Sequence, residues 1–425
     1  MSDKKQGFAT RAIHAGAKPD SATGARITPI HQSTAFVFED VDHAAKLFNL
    51  ETEGFIYSRL TNPTVDVLQK RLADLEGGVA SVCTASGHSA QLLALFALME
   101  SGDNFVASKK LYGGSINQFG YSFKRFGWQV KFVDPDDPEN FRKEIDERTK
   151  AVFTETIANP GGVVCNIEAI SKIAHEAGIP CITDNTLATP ALMRPIEYGA
   201  DIVVHSTTKF LSGHGNAMGG VVIDSGNFDW KQNDKFRALS EPCSAYHGVC
   251  FTENFGTAAY AIYTLAVSLR DLGPTMAPLN AYLTITGIET LPLRMAKHSA
   301  NALEVAQWLE RNSAVEAVSY AGLPSSPYHQ LAQKYCPAGS GSVFTFSLKG
   351  GYQAGVKLVE QSTLFSHLAN IGDTRSLVTH PASTTHRQLS EEHKISAGAG
   401  PEVVRLSIGL EDPADIISDL EQALK

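Results

Sequence analysis

"ISKIAHEAGIPCITDNT", residues 170–186, contains a helix and a strand with a sharp joint between them. The helix ends at Gly178, Pro180 bars its continuation, and a strand then runs to Asp184. A helix feeding directly into a strand is the unit from which parallel α/β sheets are built. Working outward from about residue 60 to about residue 260, short β-rich runs recur between helix-length segments. They are "ASVCTA", "NFVAS", "QVKFV", "AVFTE", "IPCIT", "ADIVVHS" and "GGVVID". That alternation predicts an α/β fold, a mostly parallel sheet covered by helices on both faces.

The flanks differ from this middle. Residues 1–60 are irregular and rich in Thr, Ser and Gly, and read as an arm rather than a domain. The stretch from about 252 to 312 is helical in pattern. "ETLPLRMAKHSANALEVAQWLERN" (289–312), for instance, carries apolar residues at three- and four-residue spacing. "GSVFTFSL" and "VVRLSIGLE" read as strands of a second, smaller α/β unit, closed by the helix "PADIISDLEQALK". The expected division is an arm at 1–60, a large domain at 61–285 and a C-terminal domain at 286–425.

Length and charge agree with that layout. A chain of 425 residues is too long for one hydrophobic core. An apolar fraction of 43% supplies core material, and a net charge of −9 offers no footprint for nucleic acid or an anionic membrane. "MSDKKQGFATRAIHAG" has no apolar stretch of the kind a secretory signal needs, and apolar runs such as "LLALFALM" (92–99) are too short to span a bilayer. A cytoplasmic protein is expected. Cys83, Cys165, Cys181, Cys243, Cys250 and Cys336 form no C-x-x-C pair and no Cys/His spacing, and read as reduced thiols. His14, His31 and His214 show no ligand constellation, so no metal is expected. There are no internal repeats.

In open parallel sheets ligands bind beyond the carboxyl ends of the strands. Three such ends carry polar groups here. "AVFTETIANP" leads to Asn159, "IPCITDNT" to Asp184 and Asn185, and "ADIVVHSTTK" to Ser206, Thr208 and Lys209. A fourth feature, "TASGHSAQ" (84–91), is a Ser-Gly turn opening a helix, where backbone N–H groups favour a phosphate. Alone, that turn is also an ordinary helix cap, and a lysine after a strand is also an ordinary surface residue. Together, a phosphate cradle, a buried carboxylate and a desolvated lysine match the needs of pyridoxal phosphate (PLP). The lysine forms a Schiff base, and the carboxylate keeps the pyridine nitrogen protonated as an electron sink. A nicotinamide-dinucleotide oxidoreductase is the competing class. The glycine spacing of "GHGNAMGG" (213–220) is wrong for it, and a strand rather than a helix comes next.

The motifs add up to a resemblance. "TRAIHAG" (10–16), "YSRLTNPT" (57–64), "LEGG" (75–78), "SGHSA" (86–90), "LYGG" (111–114), "ANP" (158–160), "TDNT" (183–186), "HSTTK" (205–209), "HPASTTH" (380–386) and "RLSIGLED" (405–412) run in order along nearly the whole chain. With them the chain resembles the Cys/Met-metabolism family of PLP-dependent enzymes. The resemblance implies fold type I, the aspartate-aminotransferase type, with a seven-stranded sheet in the large domain. It implies that Lys209 carries the cofactor, Asp184 pairs with the ring nitrogen, and Tyr112 stacks on the ring and serves in proton transfer. Gly87, His88, Ser206 and Thr208 would hold the phosphate, with Tyr57 and Arg59 reaching it from an adjacent subunit of a homotetramer built from dimers. Arg405 would bind the substrate α-carboxylate, with Asn159, Asn370 and Tyr57 beside the substrate. His205 and His380 are expected to be hydrogen-bonded framework residues.

Within the family, "NIGDTRSLVTHPASTTH" (370–386) and the "IDSGNFDW" insertion (223–230) resemble the branch that handles O-acetylhomoserine and sulfide. The implied reaction is a γ-replacement giving homocysteine and acetate. Cystathionine γ-synthase, cystathionine γ-lyase, methionine γ-lyase and an enzyme for O-succinylhomoserine are the alternatives. Arg375 lies where lyase relatives often carry an acid. It favours hydrosulfide over the distal ammonium of cystathionine.

Overall fold

The computed structural model describes residues 6–384, 387, 394 and 398–425. Thr385 and His386 of the "HPASTTH" motif fall outside them. Seven strands form the main sheet: β1 (Ala80–Thr84), β2 (Asn104–Ser108), β3 (Gln129–Val133), β4 (Thr149–Glu155), β5 (Cys181–Asp184), β6 (Ile202–His205) and β7 (Gly220–Asp224). Their order is β1-β7-β6-β5-β4-β2-β3. The pairings from β6 through β5, β4 and β2 to β3 are all parallel, whereas β7 runs antiparallel to both β6 and β1. All seven runs expected from the sequence are strands of this sheet. β2, β6 and β7 are buried from end to end, as a strand covered on both faces must be.

Of the helices packed on this sheet, three bear on the site or on its reading from sequence. α1 (Pro63–Glu76) starts from an Asn62 cap and stops at Gly77, whose φ is +86°. α2 (Gly87–Phe96) comes after β1 and is capped by Ser86, whose side chain accepts the Ser89 N–H. α3 (Ile167–Glu176) covers the sheet and breaks at Gly178, φ +66°, before β5 begins.

The polypeptide passes into the second unit through a helix, not a linker. α4 (Pro278–Glu289) and the first turns of α5 (Leu291–Glu310) belong to the main core through Ile285, Ile288, Leu291 and Met295. The last turns of α5 place Ala302, Val305, Ala306 and Leu309 in a second core. That core lies against β8 (Val315–Ser319), β9 (Val343–Leu348), β10 (Ser366–His367), β11 (Leu377–Thr379) and β12 (Val403–Ser407), ordered β10-β11-β12-β9-β8, and against α6 (Pro413–Ala423). The sequence announces β9, β12 and α6. β10 and β11 are too short for any periodicity to show, and β8 is mostly solvent-facing.

The amino-terminal segment carries two short helices, Phe8–His14 and Val41–Phe48. Arg11 pins the first of them to α1, donating to the Asp74 carbonyl at 2.6 Å and its carboxylate at 3.1 Å. Further along, Val37 and Val41 are 97% and 84% exposed, so this segment finds little apolar cover within its own chain.

Candidate active site

The sheet register brings the polar strand ends together. Glu155 is the direct partner of Asp184 across β4 and β5, and Asp184 is the partner of Val204 on β6. Beyond these ends lies a cavity of about 250 Å³. Gly87, His88, Tyr112, Asn159, Asp184, Ser206, Thr208, Lys209, Asn370 and Arg405 all line it. Residues from the first 112 positions thus meet residues from β12.

Lys209 sits in a turn just past the end of β6, where its N–H bonds the Ser206 carbonyl. Its ammonium is mostly withdrawn from water, and that burial, with the nearby Arg405 charge, pulls its pKa down to about 8. Nζ donates to Asn370 Oδ1 at 2.6 Å. Arg405, on β12, is 4% exposed. Its guanidinium donates to Asn159 Oδ1 at 3.2 Å and to the Asn370 carbonyl at 3.1 Å, and burial pushes its pKa down to about 10. The two cations share one end of the cavity, where an anion would be favoured.

Asp184 lines the same cavity. Its carboxylate accepts the Thr186 N–H at 2.9 Å and the Gln91 amide at 3.2 Å. Tyr112 stands beside His88, with ring centroids 6.0 Å apart. Gly114 makes room for it: a Cβ there would stand 2.4 Å from Tyr112 Cε1. The start of α2 meets the β6 end in the same way. A Cβ on Gly87 would stand 2.7 Å from Ser206 Cβ, so only glycine lets the helix end approach. With Ser86 capping Ser89, the N–H groups of Gly87 and His88 form the open end of α2. Ser206 is held by its N–H to Thr186 Oγ1 at 2.9 Å, and Thr208 Oγ1 bonds both the N–H and the carbonyl of Gly219. A helix end with adjacent hydroxyls fits a phosphate, Asp184 fits a ring nitrogen and Lys209 fits an aldehyde. Among the described residues, no group of three or more His, Cys, Asp or Glu could hold a metal ion.

Two expected residues are not in the wall. Tyr57 and Arg59 lie in the amino-terminal segment. There the Arg59 guanidinium stands over the Tyr57 ring at 5.7 Å, and Thr275 Oγ1 donates to the Arg59 carbonyl. Arg375 is also outside the cavity. Its side chain is 67% exposed and paired with Asp373 at 2.9 Å. His205 and His380 are framework residues, bonded to Glu76 at 2.6 Å and to the Pro401 carbonyl at 2.8 Å.

Sequence reasoning passed over Glu155, Gln91 and Thr186. Glu155 is buried at the end of β4. It accepts the Tyr112 N–H at 2.8 Å and the Asn159 N–H at 3.2 Å. Burial and the adjacent Asp184 charge raise its pKa well above the usual carboxylate range. The signal was present in "AVFTETIANP", where an acid ends an apolar strand four residues before Asn159. Gln91 gave no signal, because nothing in a helical glutamine says which strand end it will face.

The profile of the Cys/Met metabolism PLP-dependent enzymes matches residues 9–425. The chain belongs to this family. Its cofactor is accordingly pyridoxal phosphate and its fold is that of the type I PLP enzymes. Among its relatives, an O-acetyl-L-homoserine sulfhydrylase of Leptospira meyeri is 49% identical over 98% of this chain and 96% of its own. A homocysteine synthase of Schizosaccharomyces pombe is 47% identical over the full length of both. A crystal structure from Campylobacter jejuni superposes with a TM-score of 0.96 at 41% identity, covering 98% of this chain and 99% of its own. It contains N′-pyridoxyl-lysine-5′-monophosphate.

Proposed function

We propose that this enzyme joins sulfide to the homoserine skeleton of O-acetyl-L-homoserine, releasing acetate and forming homocysteine. Full-length relatives bearing the names O-acetyl-L-homoserine sulfhydrylase and homocysteine synthase support the reading. The observation that carries it is the placement of Lys209, Asp184 and Arg405 around one cavity. When bound, the cofactor supplies an electron sink for charge that develops at the substrate α-carbon. The protein's own groups do the rest. Arg405, with Asn159, grips the substrate α-carboxylate. Lys209, with its lowered pKa, takes the α-proton and, reaching along the same face, exchanges protons at the β-carbon. Asp184 holds a proton on the ring nitrogen. Tyr112 packs against the ring. The open end of α2 at Gly87 and His88 seats the phosphate together with Ser206 and Thr208. Asn370 faces Lys209 and the substrate.

The proposal includes the assembly. Tyr57 and Arg59 of the partner subunit complete the phosphate seat, within a cytoplasmic homotetramer built of such dimers. No helix among the described residues is long and apolar enough to cross a membrane. The test is a donor and acceptor screen. Homocysteine should form fastest from O-acetylhomoserine with sulfide, more slowly from the O-succinyl ester, and not at all in Lys209→Ala. A clear preference for cysteine as the nucleophile, giving cystathionine, would replace this reading with cystathionine γ-synthase.

A further inference from the structure

Behind the cavity, three polar side chains are sealed in the main core. Glu76 is the last residue of α1, His205 the last of β6, and Asn185 comes directly after β5. None has any solvent exposure. A single oxygen, Glu76 Oε1, lies 2.6 Å from His205 Nε2 and accepts the Asn185 Nδ2 amide at 2.8 Å. Asn185 is held further by Met193 O, to which Nδ2 donates at 2.9 Å, and by Thr156 Oγ1 at 3.0 Å. Among the described residues, the other carboxyl oxygen, Oε2, and His205 Nδ1 have no partner.

A carboxyl withdrawn from water with one oxygen unmatched is a costly core filler. A leucine would occupy the space without that cost. What a leucine could not do is bond two neighbouring strand ends through one atom. Asn185 is next in the chain to Asp184, and His205 is next to Ser206. The backbone ladder here ends with the Asn185 N–H on the Val204 carbonyl at 3.0 Å. Beyond that point the ladder no longer sets the separation of the two chains. From there the two chains are joined by side chains, by Thr186 Oγ1 accepting the Ser206 N–H at 2.9 Å on the cavity side and by Glu76 on the core side.

We infer that Glu76 is a positioning residue whose Oε1, bonded to both Asn185 and His205, fixes the spacing between Asp184 and Ser206 from the core side, as Thr186 ties the same two residues from the cavity side. It thereby sets the spacing between the ring-nitrogen partner and the phosphate seat of the bound cofactor. The inference rests on the proposed roles of Asp184 and Ser206 toward that cofactor. In metal sites, residues that orient the ligands change affinity about 10–100-fold when lost, and Glu76 has the comparable place here, one residue out from Asp184 and Ser206.

Two variants separate position from charge. Glu76→Gln keeps an oxygen where Oε1 stands and puts its amide where Oε2 has no partner. Glu76→Asp keeps the acid but withdraws it by one methylene. Each variant is checked for fold by circular dichroism and thermal melting. PLP affinity is then measured by titrating the apoprotein, and the visible absorption of the bound cofactor is recorded. Glu76→Gln should retain wild-type affinity and band. Glu76→Asp should bind about 10-fold more weakly or worse, with a displaced band. A folded Glu76→Asp that matches Glu76→Gln in both readouts overturns the proposal. Should Glu76→Asp not fold, Asn185→Ala removes one of the two bonds with Glu76 intact, and must weaken affinity and displace the band. Wild-type behaviour there overturns the proposal too. Wild-type protein that captures PLP without using Lys209 would overturn the site assignment itself, and the inference with it.

Discussion

Lys209 Nζ donates to Asn370 Oδ1 at 2.6 Å, and the carbonyl of the same asparagine accepts from Arg405 Nη2 at 3.1 Å. One neutral residue therefore accepts from both cations. A carboxylate at 370 would have held the lysine protonated. An amide oxygen accepts its hydrogen bond without adding charge, and leaves burial and the Arg405 charge in control of its titration.

That relationship predicts how the apoprotein captures its cofactor. The neutral amine is the nucleophile. A pKa lowered from 10.5 to about 8 means that the neutral form appears at lower pH. The rate of PLP capture should therefore rise through about pH 8 and level off above it. Asn370→Asp adds a negative charge that favours the ammonium, so its midpoint should move up. Stopped-flow absorbance across pH measures both. A wild-type rate that keeps climbing well into the range of an ordinary lysine, or a midpoint unmoved in Asn370→Asp, would contradict this account.

Arg405 has two effects that one substitution can separate. Arg405→Lys keeps the cation but loses the planar fork that matches a carboxylate. It should raise KM with a smaller effect on kcat, a loss of about 2 kcal/mol in kcat/KM, as expected for a charge-assisted hydrogen bond. Arg405→Ala also removes the charge that depresses Lys209, so its capture midpoint should rise, whereas that of Arg405→Lys should stay near wild type. Equal midpoints in the two variants would mean that Arg405 does not act on Lys209 through its charge.

The sequence exposed this site because its chemistry sits at strand ends. Asn159, Asp184 and Lys209 each come at or just after the end of an apolar run, and a parallel sheet aligns such ends without needing any side-chain detail. All seven strands of the main sheet were readable for the same reason, since each is a short apolar run between helix-length segments. What stayed hidden depends on side chains meeting across long separations. Glu76 and His205 are 129 residues apart, and Gln91 and Asp184 are 93 apart. No local pattern marks either pair. Arg375 shows another limit: its place in the sequence did not tell that its side chain would lie outside the cavity wall, paired with Asp373 two residues away.

Asp184 faces the ring nitrogen in our assignment, and asparagine cannot carry its charge. Asp184→Asn should fold and take up PLP but lose about 3 kcal/mol of transition-state stabilisation, roughly a hundredfold in kcat. Glu155 offers an internal check. Its pKa is raised partly by the Asp184 charge, so it should fall in the variant. Infrared difference spectra of the carboxylic-acid band would report that fall. A kcat within a few-fold of wild type would remove Asp184 from this role.

Tyr57 and Arg59 lie outside the cavity wall of the single chain, in a segment with Val37 and Val41 almost fully exposed nearby. A second copy would cover such an arrangement. Arginine suits a phosphate because its fork grips two oxygens and stays charged. If Arg59 serves the adjacent subunit, Arg59→Ala and Lys209→Ala should each be nearly inactive alone. After mixing and reassociation, a hybrid dimer holds one site with both residues intact and one site with neither. Random pairing makes half of the dimers hybrid, and half of their sites active, so activity should recover to about a quarter of wild type. Subunit exchange is confirmed by native mass spectrometry of differently tagged variants. Recovery near a quarter places Arg59 across the interface. No recovery in a folded, exchanged mixture would mean that Arg59 works within its own chain or not at all.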